Sequence, residues 1–266
     1  MSFIHLSTTD LAIAAALVVL LALLGPVRAA GLSRQLLVAG LRTVVQLTII
    51  GYVLKALFGQ AELLWVALLA AVMLGVSGYE VRARQERGLR GWWGYGAGAI
   101  AMFLSSFSVT VFALVVLVGA EPWYTPQYAI PLLGMLLGNT MNGVALGLDR
   151  LTQSAWEHRD AIEARLMLGE PWKVAIAHDQ RQALRSGLIP IINAMAAAGI
   201  VSLPGMMTGQ IMAGAPPVEA VKYQVLIMFL IAGGTGLGTL AAIWLASRRL
   251  FDHRHRLRLE RLRARG

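Results

Sequence analysis

Long apolar runs separated by short polar breaks constrain this chain more than any other feature of its sequence. Most are about 17–25 residues long, which matches the roughly 20 helical residues that cross a bilayer core. Because backbone polar groups in lipid must bond within their own segment, continuous runs predict helices. About seven spans are predicted, at Leu11–Val27, Leu36–Leu54, Leu63–Tyr79, Trp93–Val118, Tyr128–Leu148, Leu188–Met207 and Val221–Ala246.

The composition supports the same class. Of 266 residues, 57% are hydrophobic and only 14% are charged, which a water-soluble domain of this size does not normally carry. The chain has no cysteine, so disulfides and thiolate metal sites are excluded. We therefore predict an all-α polytopic membrane protein that forms a single transmembrane domain over residues 1–266.

The distribution of Lys and Arg predicts the orientation. Most of the 23 basic residues fall after the first and third spans, in residues 149–187 and in the tail 248–266. The positive-inside rule then places the N-terminus outside and the C-terminus in the cytoplasm, in the inner membrane of a bacterium. No Lys or Arg precedes Arg28, so the first span is predicted to be a retained helix rather than a signal peptide. The basic tail is expected to contact anionic lipid or a partner rather than nucleic acid, or to be a solvated helix end.

Residues 149–187 form the one sizeable polar segment between spans. It divides at Gly169-Glu170-Pro171, which reads as a helix stop followed by a helix start. Trp156, Ile162 and Leu166 share one face upstream, and a second face begins downstream at Trp172. Two short amphipathic helices on the cytoplasmic side predict either a docking surface or a structured connector.

The stretch from Glu163 to Gly169 resembles the coupling loop of ABC-transporter permeases, in which an acidic residue and a glycine turn contact the ATPase subunit. The usual proline of that motif comes later here, at Pro190. The resemblance implies that Glu163, Ala164 and Gly169 contact an ATPase, and Trp172 is predicted to join them.

A wider resemblance extends over most of the chain and is to the FetB-type ABC-transporter permease family. The segments that carry it are Leu41–Leu47, Tyr124–Tyr128, Gly138–Gly143, Ser202–Gln210 and Glu219–Gln224. Bacterial members of that family are linked to iron export with a separate ATPase, and plant relatives to aluminium tolerance. The resemblance implies the membrane subunit of an ATP-driven exporter, working as a homodimer with two ATPase subunits.

The chain contains no G-x-x-x-x-G-K-[ST] phosphate loop. ATP and Mg²⁺ are therefore expected on the partner, and this chain is expected to be a transport subunit with no enzymatic activity or cofactor of its own. The glycine cluster Gly233–Gly238 lies inside an apolar span, where it is typical of close helix packing.

Polar groups within the spans are expensive to bury in lipid, so they are candidates for a substrate pathway. The predicted pathway residues are Arg42, Gln46, Asn139, Asn142, Asn193, Met206, Met207 and Gln210. Snorkelling of Arg42, hydrogen bonds between helices and plain packing are the structural alternatives. Residues 203–210 are predicted to break the sixth span near its outer end.

The sequence does not support a tightly held iron site. All five histidines lie outside the predicted spans, and the carboxylates lie at span ends or in loops. Ferrous iron prefers imidazole or carboxylate ligands, so weak coordination or a chelated substrate is expected, and no metal ligand is assigned. Alternative functions are a nucleotide-sugar permease, a secondary carrier, and a scaffold that recruits a partner without transport.

Overall fold

The computed structural model describes residues 7–29, 31–59 and 62–264. These residues are almost entirely helical, and within them β-structure is limited to isolated bridges. The chain divides into two compact units, residues 1–61 and 62–266. The prediction of an all-α polytopic membrane protein is confirmed.

The first unit contains α1 (Thr8–Leu23), the short α2 (Gly25–Ala29) and α3 (Ser33–Phe58). A capping box starts α1, because the Ser7 hydroxyl accepts from the Asp10 amide while the Asp10 carboxylate accepts from Ser7. The Ser33 hydroxyl donates to the Ala22 carbonyl at 2.6 Å, and Gly40 of α3 faces Val18 of α1.

The second unit is built on one continuous helix and several others packed around it. Its elements are α4 (Leu63–Ala83), α5 (Trp93–Met102), α6 (Ser108–Phe112), α7 (Pro126–Glu157), α8 (Arg159–Met167), α9 (Trp172–Ala175), α10 (Ala177–Ala197), α11 (Gly205–Met212) and α12 (Pro217–Leu250). π-helical turns at Phe103–Phe107 and Ala113–Val118 join α5 and α6 into a single helix, Trp93–Val118.

Helix α7 lies at the centre of this unit, and it packs against α4, α10 and α12. Small residues permit the close approach, as is usual between membrane helices. A methyl group on Gly143 would stand 2.7 Å from the Thr235 methyl, and one on Gly147 would stand 3.0 Å from the Thr239 methyl. The core of the unit therefore depends on glycines facing threonines rather than on large side chains alone.

Five helices are long and apolar enough to cross a membrane: Ser33–Phe58, Leu63–Ala83, Trp93–Val118, Pro126–Glu157 and Pro217–Leu250. Thr8–Leu23 is apolar but shorter. These six overlap six of the predicted spans, whereas the total number of crossings and their orientation stay predictions.

The predicted sixth span, Leu188–Met207, does not match one helix. Helix α10 already begins at Ala177 and ends at Ala197, and α11 follows from Gly205 after a turn. Gly199, with φ of +82°, follows the end of α10, and Pro204 stands directly before the first residue of α11. The chain is broken as predicted, but the break precedes residues 203–210, most of which are helical.

One end of the second unit carries its arginines. Helices α4, α7 and α12 end there, while α5 and α10 begin there; we call it the basic end. The Glu86 amide donates to the Asp149 carboxylate at 2.9 Å, and the Arg90 amide donates to the Arg261 carbonyl at 2.7 Å. These bonds tie the α4–α5 loop to α7 and to the end of the chain.

Residues 251–264, here the C-terminal segment, fold back onto the basic end. Phe251 and Leu262 are buried in the core, and the Arg263 amide donates to the Gly88 carbonyl at 2.9 Å. The described part of residues 248–266 is more than a solvated helix end: Phe251 and Leu262 pack into the core, whereas Arg248, Arg254 and Arg256 are exposed.

Candidate functional site

A cavity of about 260 Å³ lies at the end of the second unit opposite the basic end. It is formed by the π-helical turn at Ala113–Val118, the first turns of α7 and α12, and α11. The lining is Leu114, Val118, Gln127, Tyr128, Pro131, Leu132, Met135, Met206, Gln210, Tyr223, Leu226, Ile227 and Leu230. It offers thioethers, amides and phenols on an apolar wall, and its described lining contains no carboxylate, imidazole, ammonium or guanidinium group.

Two predicted pathway residues, Met206 and Gln210, meet in this cavity. They stand one turn apart on α11, which brings them to the same face. The side-chain oxygen of Gln210 is buried and has no hydrogen-bond partner among the described residues. Because an unpaired buried oxygen is costly, it is available to accept a hydrogen bond from a ligand. Met207, by contrast, is buried in packing and does not line the cavity.

The predicted asparagines lie elsewhere. Asn139 donates its amide to the Met135 carbonyl one turn earlier in α7, at 2.8 Å. Asn142 accepts from the Arg84 guanidinium at 2.6 Å. Asn193 is exposed on α10. None of the three lines the cavity, so the predicted asparagines do not join Met206 and Gln210 there.

Arg42 and Gln46 belong to the first unit. Both are exposed and lie one turn apart on α3, as their spacing predicted.

The turn between α8 and α9 carries the predicted coupling residues. Gly169, with φ of +89°, closes α8: its amide donates to the Leu166 carbonyl, and the Glu170 amide donates to the Arg165 carbonyl. This left-handed conformation favours glycine. Met167 and Leu168 just before it are 82% and 83% exposed. We call residues 166–170 the tip.

The tip has an exposed outer surface and an anchored base. Glu163 and Ala164 are exposed on α8, and Glu163 borders a depression of about 390 Å³ with Leu166, Met167 and residues 254–258. Ile162 is buried in the core. Trp172 is half-buried and stacks on Phe251, with ring centroids 5.4 Å apart, while its amide donates to His255 Nδ1. These contacts hold the base of the tip to α8, α9 and the C-terminal segment.

A buried carboxylate joins the base of the tip to the long helices. Asp179 near the start of α10 is 2% exposed, and it accepts from the Ser154 hydroxyl on α7. The Nδ1 atom of His158 lies 2.7 Å from the same carboxylate oxygen. Sequence reasoning missed this cluster, because Asp179 lies more than 20 positions after both Ser154 and His158 along the chain.

Gln127, Tyr128 and Tyr223 were also missed as cavity residues, although each falls within a segment that carries the family resemblance. Groups of three or more His, Cys, Asp or Glu residues that could hold a metal ion are absent from the described part of the chain. The cavity therefore suits a weakly held or ligand-bound ion, or a small polar molecule, better than a bare hard cation.

This chain is an all-α polytopic membrane protein. Its class is defined by apolar helices of membrane length that pack around a glycine-lined core, and the fold includes an amide-bearing cavity. The chain belongs to the uncharacterised protein family UPF0014, whose model matches residues 8–251.

Several relatives match over most of their length. A UPF0014 membrane protein of Synechocystis sp. is 40% identical over 85% of this chain and 86% of the relative. The probable iron export permease protein FetB of Escherichia coli is 32% identical over 97% and 98%. The protein ALUMINUM SENSITIVE 3 of Arabidopsis thaliana is 33% identical over 81% and 77%. No solved structure matches the chain.

Proposed function

We propose that this chain is the membrane-spanning permease subunit of an ATP-binding-cassette exporter that moves iron or another metal out of the cytoplasm. A separate subunit binds ATP and Mg²⁺, and the permease works as a homodimer in the bacterial inner membrane with its basic end in the cytoplasm. The observation that carries this proposal is the tip, where two large apolar side chains, Met167 and Leu168, are more than 80% exposed at the charged end of the molecule.

The exposure of the tip supports a docking role. Leaving two apolar side chains in water forgoes about 1.5–3 kcal/mol each relative to burial, so an ATPase cleft that covers them gains that energy. The acidic Glu163 beside them adds a charged contact whose position matches the resemblance to ABC coupling loops.

The anchoring of the tip supports transmission of movement. Helix α8 follows directly after α7, and α10 follows directly after α9. A push on the tip is delivered through Ile162 and Trp172 to the bases of α7 and α10. Helix α7 also lines the cavity at the opposite end through Tyr128, Pro131 and Met135, so one continuous helix runs from the base of the proposed dock to that cavity.

Iron as cargo is supported by the name of the Escherichia coli relative. The side chains that line the cavity bear on the form in which the ion is transported. With thioethers and amides but no carboxylate or imidazole in its described lining, it favours an ion that passes with its own ligands attached.

The proposal is tested by ATP-dependent iron uptake into inside-out vesicles that contain the permease together with a candidate ATPase subunit. Leu168→Ser is expected to reduce ATPase binding and uptake about tenfold or more, which corresponds to 1.4 kcal/mol of lost contact. Val201→Ser is the matched control, since Val201 is 82% exposed in the turn that follows α10. Uptake that does not depend on ATP, or sugar-nucleotide uptake in place of iron, contradicts the proposal.

The orientation has its own test, because the chain contains no cysteine. Single variants Leu168→Cys and Val201→Cys are each exposed to a membrane-impermeant maleimide in intact spheroplasts. Labelling of Val201→Cys alone is the expected result, and labelling of Leu168→Cys alone would invert the topology.

A further inference from the structure

A second cavity, of about 400 Å³, lies at the basic end where α12 ends and α5 begins. It has a basic wall and an apolar wall. Arg248, Arg249, Arg261 and His253 supply the first, while Trp93, Leu245 and Phe251 supply most of the second; Asp252 completes the lining. The transport proposal assigns no role to this cavity, which shares Phe251 with the base of the tip.

The basic wall carries more positive charge than its surroundings neutralise. Among the described residues, no ion pair joins Arg248, Arg249 or Arg261 to a carboxylate. Asp252 is already engaged, since it accepts from the amides of Arg254 and Arg256 at 2.9 Å each and from the Arg256 guanidinium. Three guanidinium groups that border one concavity favour an anion with several oxygens, which phosphate provides.

Arg261 holds the shape of this wall. Its guanidinium donates to the carbonyl of Arg249 at 2.7 Å and to that of Phe251 at 3.2 Å. Arg248 and Arg249 make no such backbone contact in the described structure. They are the two guanidiniums left to bind a ligand.

The aromatic contacts of these arginines are typical of side chains at the level of lipid headgroups. The Arg249 guanidinium lies 5.2 Å from the ring centre of Trp93, and that of Arg248 lies 5.5 Å from Trp244. Tryptophan is enriched at the level of lipid headgroups, and arginine near a helix end reaches the same level.

An apolar stripe leads away from the cavity along α12. Leu237, Leu240 and Trp244 are 57%, 50% and 48% exposed, and their spacing of three and four residues puts them on one face that ends at Arg248. A free phosphate ion has no apolar part that could cover this stripe. A phospholipid has one, because its acyl chains can pack on the stripe while its phosphate contacts the arginines.

We infer that this cavity binds the headgroup of an anionic phospholipid, with its phosphate between Arg248 and Arg249 and its acyl chains along Leu240 and Leu237. The inference does not rest on the transport proposal, since it concerns a different cavity and requires neither ATP nor cargo.

The test measures thermal unfolding of the purified full chain in detergent as phosphatidylglycerol, phosphatidylcholine or inorganic phosphate is added. Phosphatidylglycerol alone is expected to raise the unfolding temperature. The double variant Arg248→Gln/Arg249→Gln is expected to bind it about tenfold more weakly. Arg159→Gln/Arg165→Gln, at the same end but outside the cavity, is the charge-matched control and keeps the wild-type response.

Several outcomes overturn the inference. Equal stabilisation by phosphatidylcholine would show that the negative charge of the headgroup is not recognised. Equal stabilisation by inorganic phosphate would show that the ligand is a soluble anion. An equal loss of phosphatidylglycerol binding in the control variant would show that the effect depends on net charge alone.

A second measurement needs no arginine variant. Brominated phosphatidylglycerol is expected to quench tryptophan fluorescence of the unsubstituted protein in nanodiscs. Trp93→Phe is expected to remove more of the quenched signal than Trp123→Phe, since Trp123 lies just before α7 at the opposite end. Equal losses from the two variants contradict the assignment.

Discussion

The backbone of Gly143 in α7 touches that of Gly187 in α10: a methyl group on Gly187 would stand 2.6 Å from the Gly143 carbonyl oxygen. Thr239 of α12 closes the same contact, since its hydroxyl oxygen would stand 2.9 Å from a methyl group on Gly143. Three helices therefore meet at one point where only small residues fit.

Gly143→Ala is expected to destabilise the protein by about 1–3 kcal/mol, because an added methyl group forces these packed helices apart. Gly138→Ala is the control in the same helix, since its added methyl group meets no atom within 4 Å. That change is expected to be neutral or to stabilise by up to about 1 kcal/mol through helix propensity. Unfolding in detergent, followed by circular dichroism, separates the two. Similar losses of stability would contradict the packing argument.

Gly169→Ala is expected to disturb the tip without disturbing the spans. Its φ of +89° strains any side chain by about 1–2 kcal/mol, although no atom lies within 4 Å of the added methyl group. Gly205→Ala introduces the same methyl group into open space without a positive φ. ATP hydrolysis by the assembled complex is expected to fall with the first variant only, while both keep the wild-type helical content of the spans. If the rate of ATP hydrolysis is unchanged in Gly169→Ala, the tip does not couple to the ATPase.

Phe251→Ala is expected to loosen the base of the tip, because Trp172 loses the ring on which it stacks. Deleting a buried phenyl group costs about 3–5 kcal/mol in a packed core. Phe229→Ala removes the same group from a position on α12 that is 63% exposed, where a much smaller cost is expected. Hydrogen exchange at residues 166–172 is the measurement. Unchanged protection in Phe251→Ala would show that the C-terminal segment does not brace the tip.

The turn at residues 252–256 is expected to open in acid. The Arg256 amide, followed by the Arg254 amide and the guanidiniums of Arg256 and Arg258, holds the pKa of Asp252 below its ordinary value of 3.8. A carboxyl group whose pKa is lowered by folding stabilises the folded state when the pH is above its pKa in the unfolded chain. That contribution is lost as the pH falls through the lowered pKa of the folded state. The turn is therefore expected to stay closed from neutral pH to about pH 4 and to open below it.

Hydrogen exchange at residues 252–258, corrected for the intrinsic pH dependence of exchange, measures this transition. Asp252→Asn is expected to be equally open at every pH, since it has no carboxylate to protonate. Asp160→Asn, whose carboxylate is 86% exposed beside Arg159, keeps the transition. A wild-type turn that opens already near pH 6 would contradict the lowered pKa.

The membrane class and most helices are predictable from the sequence, because the length of an apolar run and the thickness of a bilayer are local quantities. The residues at which helices end are less predictable from the sequence. Helix α7 continues past the predicted end at Leu148 to Glu157, because its polar residues find partners: Arg150 donates to Gln182 on α10 at 2.7 Å.

The candidate site divides in the same way. Met206 and Gln210 share a face because they stand one turn apart, so their meeting is a matter of spacing. The contact of Asp179 with His158 depends on how α7 and α10 pack, which no local pattern contains. The charge of residues 248–266 concealed Phe251 and Leu262, whose burial only the folded chain reveals.

The stacking of Trp172 on Phe251 and its hydrogen bond to His255 also set an order of events during synthesis. His255 lies 83 positions after Trp172, a distance that a ribosome covers in roughly 4–17 s at about 5–20 residues per second. During that interval the tip exists without its brace. A chain that ends before residue 251 therefore presents a looser turn than one that includes Phe251 and His255.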